Sequence, residues 1–473
     1  MPFNPYGEPM SAPEPSARIA TLPVPLSSRP STALLTDHYE LTMLQAALAD
    51  GTAGRHCVFE VFTRRLAPGR RYGVLAGTGR VLEALTDFRF GPAEIDWLAA
   101  ARIVDDRTLA YLASYRFTGD ITGYAEGEVF FPGSPVMVVE GTFAETVVLE
   151  TLVLSILNYD SAVASAASRM TSAAVGRPVL EMGSRRANEQ AAVAAARAAV
   201  VAGFAGTSNL EAGRRWGLPT IGTAAHAFTL LHDDEETAFA AQVASQGKGT
   251  TLLVDTFDIR RGVAAAVAAA GPTLGAVRLD SGDLLSLAQE VREQLDALGA
   301  TQTQIVVTSD LDEYAIAALA AGPVDSYGVG TSVVTGSGAP TCGMVYKLVA
   351  REGADGMMAR VAKTSPSKVG VAGRKGAGRR LDAAGRATEE VMVVGPGAAV
   401  AAWAHDEHEM RALHVPLVVG GAVDTRWTGA AGVHRATERH RSSRAELPRG
   451  AQRLSADDAA IRTVVLDLDE HAR

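Results

Sequence analysis

The chain has 473 residues, with 44 Lys and Arg against 53 Asp and Glu, for a formal net charge of −9. That length leaves room for about two or three domains and a sizeable core. The acidic balance argues against bulk electrostatic binding of nucleic acid, though it permits a local basic pocket for phosphates. Its two cysteines, Cys57 and Cys342, are far apart and make neither a disulfide framework nor a zinc pattern, so a reducing cytoplasm is the expected compartment.

Residues 1–30 are rich in Pro, Ser and Ala and lack the basic start and apolar stretch of a signal peptide; a mobile tail is expected. No long uncharged apolar run suggests a membrane span. Asp37 can cap a helix over Tyr39 to Ala49, with Leu41, Leu44 and Leu48 on one face. Val58 to Phe62 alternates like a strand. Thr63-Arg64-Arg65 and Arg70-Arg71-Tyr72 follow as a basic cluster of the kind that suits phosphates. Gly77-Thr78-Gly79 opens a helical pattern over Arg80 to Thr86, but it lacks the third glycine of a dinucleotide site. Thr118 to Glu145 reads as short antiparallel strands, and Thr146 to about Ser172 as a helix buried on most sides.

From Pro178 the rhythm changes. Short apolar runs with a polar residue or glycine at the far end recur at Pro178–Met182, Gly203–Asn209, Thr220–Thr223 and Thr251–Asp255. They continue at Ala276–Asp280, Ile305–Thr308 and Asp325–Gly328, and Met344–Val349 can close the series. Helical segments such as Ala187–Val201, Ile259–Ala270, Leu284–Leu298 and Asp312–Ala321 separate them. About eight strand–helix repeats predict a parallel (β/α) barrel, with an open doubly wound sheet as the alternative. Beyond Val349 the pattern weakens. Glu389–Val394 and Leu413–Val419 are strand-like, Lys363–Arg380 is Gly-rich and basic, and Arg435–Arg453 is expected to be exposed. The run His405-Asp406-Glu407-His408-Glu409 does not carry the metalloprotease spacing and reads as a solvated face.

Ligands bind at the C-terminal ends of parallel strands, and several chemistry-bearing segments converge there. Gly222-Thr223-Ala224-Ala225-His226 delivers an imidazole, which can act as nucleophile or base. Arg278-Leu279-Asp280-Ser281-Gly282-Asp283 puts a cation and two carboxylates at one strand end. The Arg can grip a carboxylate bidentately. The Asp pair can hold Mg2+ or orient ribose hydroxyls, or Asp280 can instead be a helix cap beside a surface Asp283. Glu181-Met182-Gly183-Ser184-Arg185-Arg186 adds two cations, and Ser309-Asp310 ends another strand. Gly328-Val329-Gly330-Thr331-Ser332 is a loop whose N–H groups and hydroxyls suit a phosphate, though it is not a Walker loop. Together these features point to a phosphorylated, multiply charged substrate, Mg2+ and a histidine.

Thr36-Asp37-His38-Tyr39, Phe59-Glu60-Val61-Phe62, the Glu181–Arg186 and Gly222–His226 runs, Arg278–Asp283, Gly330–Thr335 and Cys342–Val349 occur in this order. As an ordered set, over about Thr32 to Lys368, the chain resembles the nicotinate phosphoribosyltransferase family. The resemblance implies an irregular (β/α) barrel over 151–350, an α/β sandwich formed by 31–150 and 351–473, and a cytoplasmic homodimer with shared active sites. The implied reaction forms nicotinate mononucleotide and pyrophosphate from nicotinate and phosphoribosyl pyrophosphate, with Mg2+ and coupled ATP hydrolysis. His226 matches the phosphorylated histidine. Tyr39, Thr223 and Arg278 match nicotinate contacts, with Tyr39 reaching in from the partner subunit. Thr331, with Gly330, matches a phosphoribosyl-phosphate contact. Arg169, Arg185 and Arg186 are assigned to pyrophosphate or the substrate carboxylate, Ser281 and Gly282 to substrate, and Asp280 and Asp283 to Mg2+. Family members often carry Ser after the histidine; here it is Ala227. Alternatives are nicotinamide phosphoribosyltransferase, the shorter quinolinate enzyme, and a non-catalytic nucleotide-binding homologue.

Overall fold

The structure is a computed structural model that describes residues 30–363, 370–396, 410–456 and 458–468. The expected tail up to residue 29 and the His405–Glu409 run lie outside the described residues. The described residues fall into two units: Ala166–Gly338, and a discontinuous unit that joins parts of Leu22–Ser165 and Ala339–Arg473.

The first unit is built on six parallel strands, Val179–Glu181, Gly206–Thr207, Thr251–Leu253, Ala276–Leu279, Gln304–Val307 and Ser326–Val329. Numbered one to six along the chain, they lie side by side in the order 2-1-6-5-4-3. The sixth strand pairs with the first, Tyr327 opposite Val179, so the sheet curls back on its own beginning. It stays open between the second and third strands. There only Thr220 makes a bridge, to Thr207. The sheet is therefore a curled, incomplete ring of six strands rather than the eight expected. Two physical reasons account for the difference. Pro219 lacks an N–H for a ladder and Gly222 offers no side chain to pack, so the Thr220–Thr223 run yields a bridge and a loop. Met344–Glu352 mixes buried and more exposed side chains, which suits a half-covered antiparallel sheet, and it pairs with His56–Thr63 in the other unit.

Helices return the chain between the strands. Ile259–Ala270 begins where the Asp258 carboxylate accepts the Arg261 N–H at 2.9 Å and stops at Gly271, with φ +79°. Its Val263, Ala266, Val267 and Ala270 are buried, the spacing of one helical face.

The second unit holds a seven-stranded antiparallel sheet. Its order is Met358–Arg360, Met344–Glu352, His56–Thr63, Met137–Thr142, Asp120–Tyr124, His414–Val419 and Ala422–Val423. A four-stranded sheet runs Met410–Ala412, Lys375–Leu381, Ala387–Val394 and Arg462–Asp467. The first helix, His38–Asp50, has a complete capping box between Asp37 and Glu40. Arg379 is fully buried between Glu128 at 2.9 Å and Glu390 at 2.6 Å. Arg411 also reaches Glu128 at 2.9 Å. The Arg435–Arg453 stretch, expected to be exposed, lies largely in the helix Gly429–Glu446, which buries Val433, Ala436, His440 and Ser443 along one face. Ser443 is hidden because its Oγ accepts the Val129 N–H at 3.0 Å and bonds the buried Arg379 and Glu128. By length and apolarity alone the helical stretch Phe143–Ala173 could cross a membrane, but it is not uncharged, carrying Glu145, Glu150, Asp160 and Arg169. With 67% of its apolar part buried in protein, it has the character of a core helix.

Candidate active site

In a strand, residues two apart face the same way. Arg278 and Asp280, at the end of Ala276–Leu279, do so, with Nη2 and Oδ1 3.3 Å apart. The parallel register places Val307 beside Leu279, which brings Thr308 next to Asp280. Thr308 accepts from Arg278 Nε at 3.0 Å and donates to Asp280 Oδ1. On the other side, Asp255 Oδ2 accepts the Asp280 N–H at 2.8 Å and the Ser281 hydroxyl at 3.0 Å. Three neighbouring strand ends are thus tied into one polar floor. Burial works against the charge on Asp280, but the Thr308 hydrogen bond and the Arg278 guanidinium outweigh it, so its carboxyl sits below the ordinary value.

His226 does not end a strand, as its motif suggested. It is the first residue of the short helix His226–Leu230, following a loop. Its Nδ1 lies 3.1 Å from Thr256 Oγ1 and its Nε2 3.9 Å from Asp280 Oδ2. The second distance is too long for a hydrogen bond. Thr223 joins the same group, accepting from Arg278 Nη1 at 3.3 Å. Gly282 takes φ +92°, a turn that an L side chain resists, and this turn follows Ser281. Asp283 is the N-cap of Leu284–Ala297 and accepts the Ser286 N–H at 3.3 Å. The helix-cap reading thus applies to Asp283, while Asp280 faces the histidine.

Glu181 ends the first strand fully buried, accepting from Thr207 Oγ1 and the Gly183 N–H. Burial raises its carboxyl above the usual range, partly offset by those bonds. The chain then turns through Gly183, where a Cβ would lie 2.3 Å from Val334 Cγ1 and 2.8 Å from Gly330 O. The Glu181–Arg186 loop is thereby packed against the Gly330–Thr331 loop. Arg185 and Arg186 are exposed on the first of these, Gly330 is half-buried, and the exposed Thr331 opens the short helix Thr331–Val334. Ser309, at the end of the fifth strand, takes φ +134°, a strained conformation worth about 1–3 kcal/mol. Arg169 is differently placed. It is buried, its Nε bonded to Glu313 at 2.9 Å and its Nη2 to Tyr314 OH at 3.3 Å. Tyr39 belongs to the second unit, where it is 43% exposed. Burial of its hydroxyl and the neighbouring Glu150 raise its pKa.

Asp255, Thr256 and Thr308 were not singled out from sequence. Their signal was present, since each follows an apolar run at a strand end. Their roles depend on register between strands, which spacing along one strand does not reveal. Glu235, the first residue of the helix Glu235–Gln246, is likewise set by its surroundings in the fold. It is 7% exposed, its Oε1 is buried without a hydrogen-bond partner, and its carboxyl is pushed up to about 7. Burial is the main cause, followed by the negative field of Glu236, with Asp255 and Asp258 adding to it against Arg261.

A guanidinium and a carboxylate at one strand end of a curled parallel α/β sheet, with an imidazole facing them from a short helix, form a site suited to an anionic substrate. Residues 34–158 match the nicotinate phosphoribosyltransferase N-terminal domain. The chain is 62% identical over 367 residues to nicotinate phosphoribosyltransferase pncB1 of Mycobacterium tuberculosis, covering 76% of this chain and 80% of that protein. It is 37% identical over 356 residues to the nicotinate phosphoribosyltransferase of Bacillus subtilis, covering 73% and 72%. The solved structure of human nicotinic acid phosphoribosyltransferase is similar with a TM-score of 0.75 at 25% identity, covering 91% of this chain and 97% of that one. The chain belongs to the nicotinate phosphoribosyltransferase family.

Proposed function

We propose that the protein joins nicotinate to phosphoribosyl pyrophosphate, releasing nicotinate mononucleotide and pyrophosphate, and couples this to ATP hydrolysis through a phosphorylated His226. The observation that carries the reading is the contact set around Arg278, which brings Thr223, Asp280 and Thr308 together with His226 nearby. The curled sheet is the irregular (β/α) barrel, and the discontinuous unit is the α/β sandwich. The protein works as a cytoplasmic homodimer in which Tyr39 serves the partner's site.

Arg278 meets the nicotinate carboxylate. Thr223 and Thr308 hold the guanidinium from two sides, so little reorganisation is needed on binding. The exposed Arg185 and Arg186 and the Gly330–Thr331 loop receive phosphates of the ribosyl substrate, with Ser281 and Gly282 shaping the adjoining turn. Arg169 acts from behind, since Glu313 holds its Nε. Among the described residues no three His, Cys, Asp or Glu side chains cluster as a full metal cage. That fits Mg2+, which is usually held by one or two carboxylates with substrate phosphates completing the shell. Asp280 is the favoured ligand, and Asp283 contributes the oxygen left free by its capping role. Bound there, Mg2+ would neutralise charge on the departing pyrophosphate.

Transfer itself needs no phosphoryl donor, because pyrophosphate is already a leaving group. ATP therefore acts on the protein. A phosphoryl group on His226 brings negative charge and acceptor oxygens that order the arginine loop around the second substrate. Product analysis with nicotinate and nicotinamide, each with and without ATP, tests the reading. Nicotinate mononucleotide in excess, stimulated by ATP, is expected; nicotinamide as the better base would overturn it. ATP labelled in its γ-phosphate should give an acid-labile, base-stable phosphoprotein. His226→Asn should abolish the label and ATP stimulation while leaving a slow ATP-independent transfer.

A further inference from the structure

We propose that Thr256 is the residue that orients His226 for phosphorylation, supplying from a neighbouring strand end the hydroxyl that Ala227 does not carry. The inference rests on the phosphohistidine reading above. Thr256 stands beyond the third strand, Thr251–Leu253, and directly after Asp255. Asp255 is anchored by the Asp280 N–H at 2.8 Å and the Ser281 hydroxyl at 3.0 Å. The position of Thr256 is thus set by the same floor that sets Asp280. From there its Oγ1 reaches His226 Nδ1 at 3.1 Å.

The His226 side chain is 41% exposed, and its helix is five residues long, so packing does little to hold the ring. Rotation by half a turn about Cβ–Cγ exchanges Nδ1 with Cδ2 and Nε2 with Cε1. The 3.9 Å separation between Nε2 and Asp280 Oδ2 is too long for a hydrogen bond and discriminates poorly between the two orientations. A hydrogen bond to Nδ1 discriminates well, because Cδ2 cannot replace it. A hydroxyl suits the task in both neutral tautomers, since it can donate to a bare ring nitrogen or accept from a protonated one. One net hydrogen bond biases two orientations by roughly threefold to tenfold. Without it the two orientations approach equal population, so the correctly oriented fraction, and with it the rate of phosphoryl transfer to the ring, falls by at most about twofold.

Thr256→Val keeps the shape of the side chain and removes the hydroxyl, whereas Thr256→Ser keeps the hydroxyl. Both are compared with the unaltered chain for the rate of labelling by γ-phosphate-labelled ATP, at matched folded concentration checked by thermal unfolding. The Val variant should label about twofold more slowly at saturating ATP, with the KM for ATP unchanged. Its loss in labelling should exceed its loss in ATP-independent transfer, and the Ser variant should recover most of the labelling rate. Labelling of the Val variant at the unaltered rate overturns the role of Thr256. So does an equal fall in labelling and ATP-independent transfer, or failure of Ser to rescue, either of which marks Thr256 as a general packing residue. Absence of label in the unaltered chain would instead remove the phosphohistidine reading, and this inference with it.

Discussion

Arg278 Nη2 and Asp280 Oδ1 lie 3.3 Å apart, two residues along one strand end, with Thr308 bonded to both. An arginine so held presents its remaining donors in a fixed direction. Arg278→Ala should raise the nicotinate KM about tenfold or more, from the loss of a charge-assisted pair worth roughly 1.5–3 kcal/mol. Arg278→Lys keeps the charge but loses the planar fork, so its KM should fall between the two. Steady-state kinetics on both variants check this. Unchanged nicotinate kinetics in the Ala variant would mean that another cation meets the carboxylate.

Gly183 leads to a prediction about the two phosphate loops. A Cβ there would press on Gly330 O at 2.8 Å, a backbone atom with little freedom to move, as well as on Val334. Gly183→Ala should destabilise the protein by about 1–3 kcal/mol. It should also raise the KM for phosphoribosyl pyrophosphate more than that for nicotinate. Denaturant unfolding and parallel kinetics would show it, and equal rises in both constants would refute the loop-specific effect.

The buried carboxyl of Glu235 makes stability depend on pH. Its folded pKa of about 7 lies above the unfolded value of 4.5, so the folded form holds a proton that the unfolded form releases first. Stability from this group is fully present below the unfolded pKa and is lost as pH rises through about 7. Glu235→Gln, which cannot ionise, should therefore stabilise the protein by about 1–3 kcal/mol at pH 8. The gain should shrink towards pH 4.5, the unfolded value. Urea unfolding across that range is the measurement. A gain that does not change with pH would locate the effect elsewhere.

Tyr39 tests the proposed assembly. Its exposed ring sits on a capped helix of the discontinuous unit, apart in sequence from every strand-end motif. If it serves the partner's site, Tyr39→Ala and His226→Ala chains should each be weak alone and recover part of the activity when mixed under subunit exchange. No recovery after exchange has been demonstrated would mean that each site is built from one chain.

Much of this arrangement was readable in the chain. Arg278 and Asp280 share a face because strand periodicity is two, and Asp37 caps its helix as the local pattern required. What escaped was set by partners distant in sequence. Thr308 and Thr256 matter through register with neighbouring strands. Arg169 looks like a free cation in sequence, yet Glu313, far along the chain, binds it in the fold. The Met344 strand carries the apolar run of a closing barrel stave, but its mixed burial belongs to an antiparallel sheet. The helix after Gly429 looks soluble all round because it buries few large apolar groups: beside Val433 and Ala436 it buries His440 and Ser443, and the Ser443 hydroxyl is satisfied by Val129, Glu128 and Arg379.

The discontinuity of the second unit orders events during synthesis. Glu128 is buried, and the cations that balance it, Arg379 and Arg411, follow more than 250 residues later. Until the ribosome has delivered them, that carboxylate cannot be enclosed without an uncompensated charge. The strand His56–Thr63 likewise waits for Met344–Glu352. The parallel unit, contiguous and emerging in between, has all its own strands before either partner arrives. The described residues from 30 to 165 therefore stay incomplete through most of translation, with unpaired strand edges that chaperones can bind and that slow elongation near the end would leave open longest.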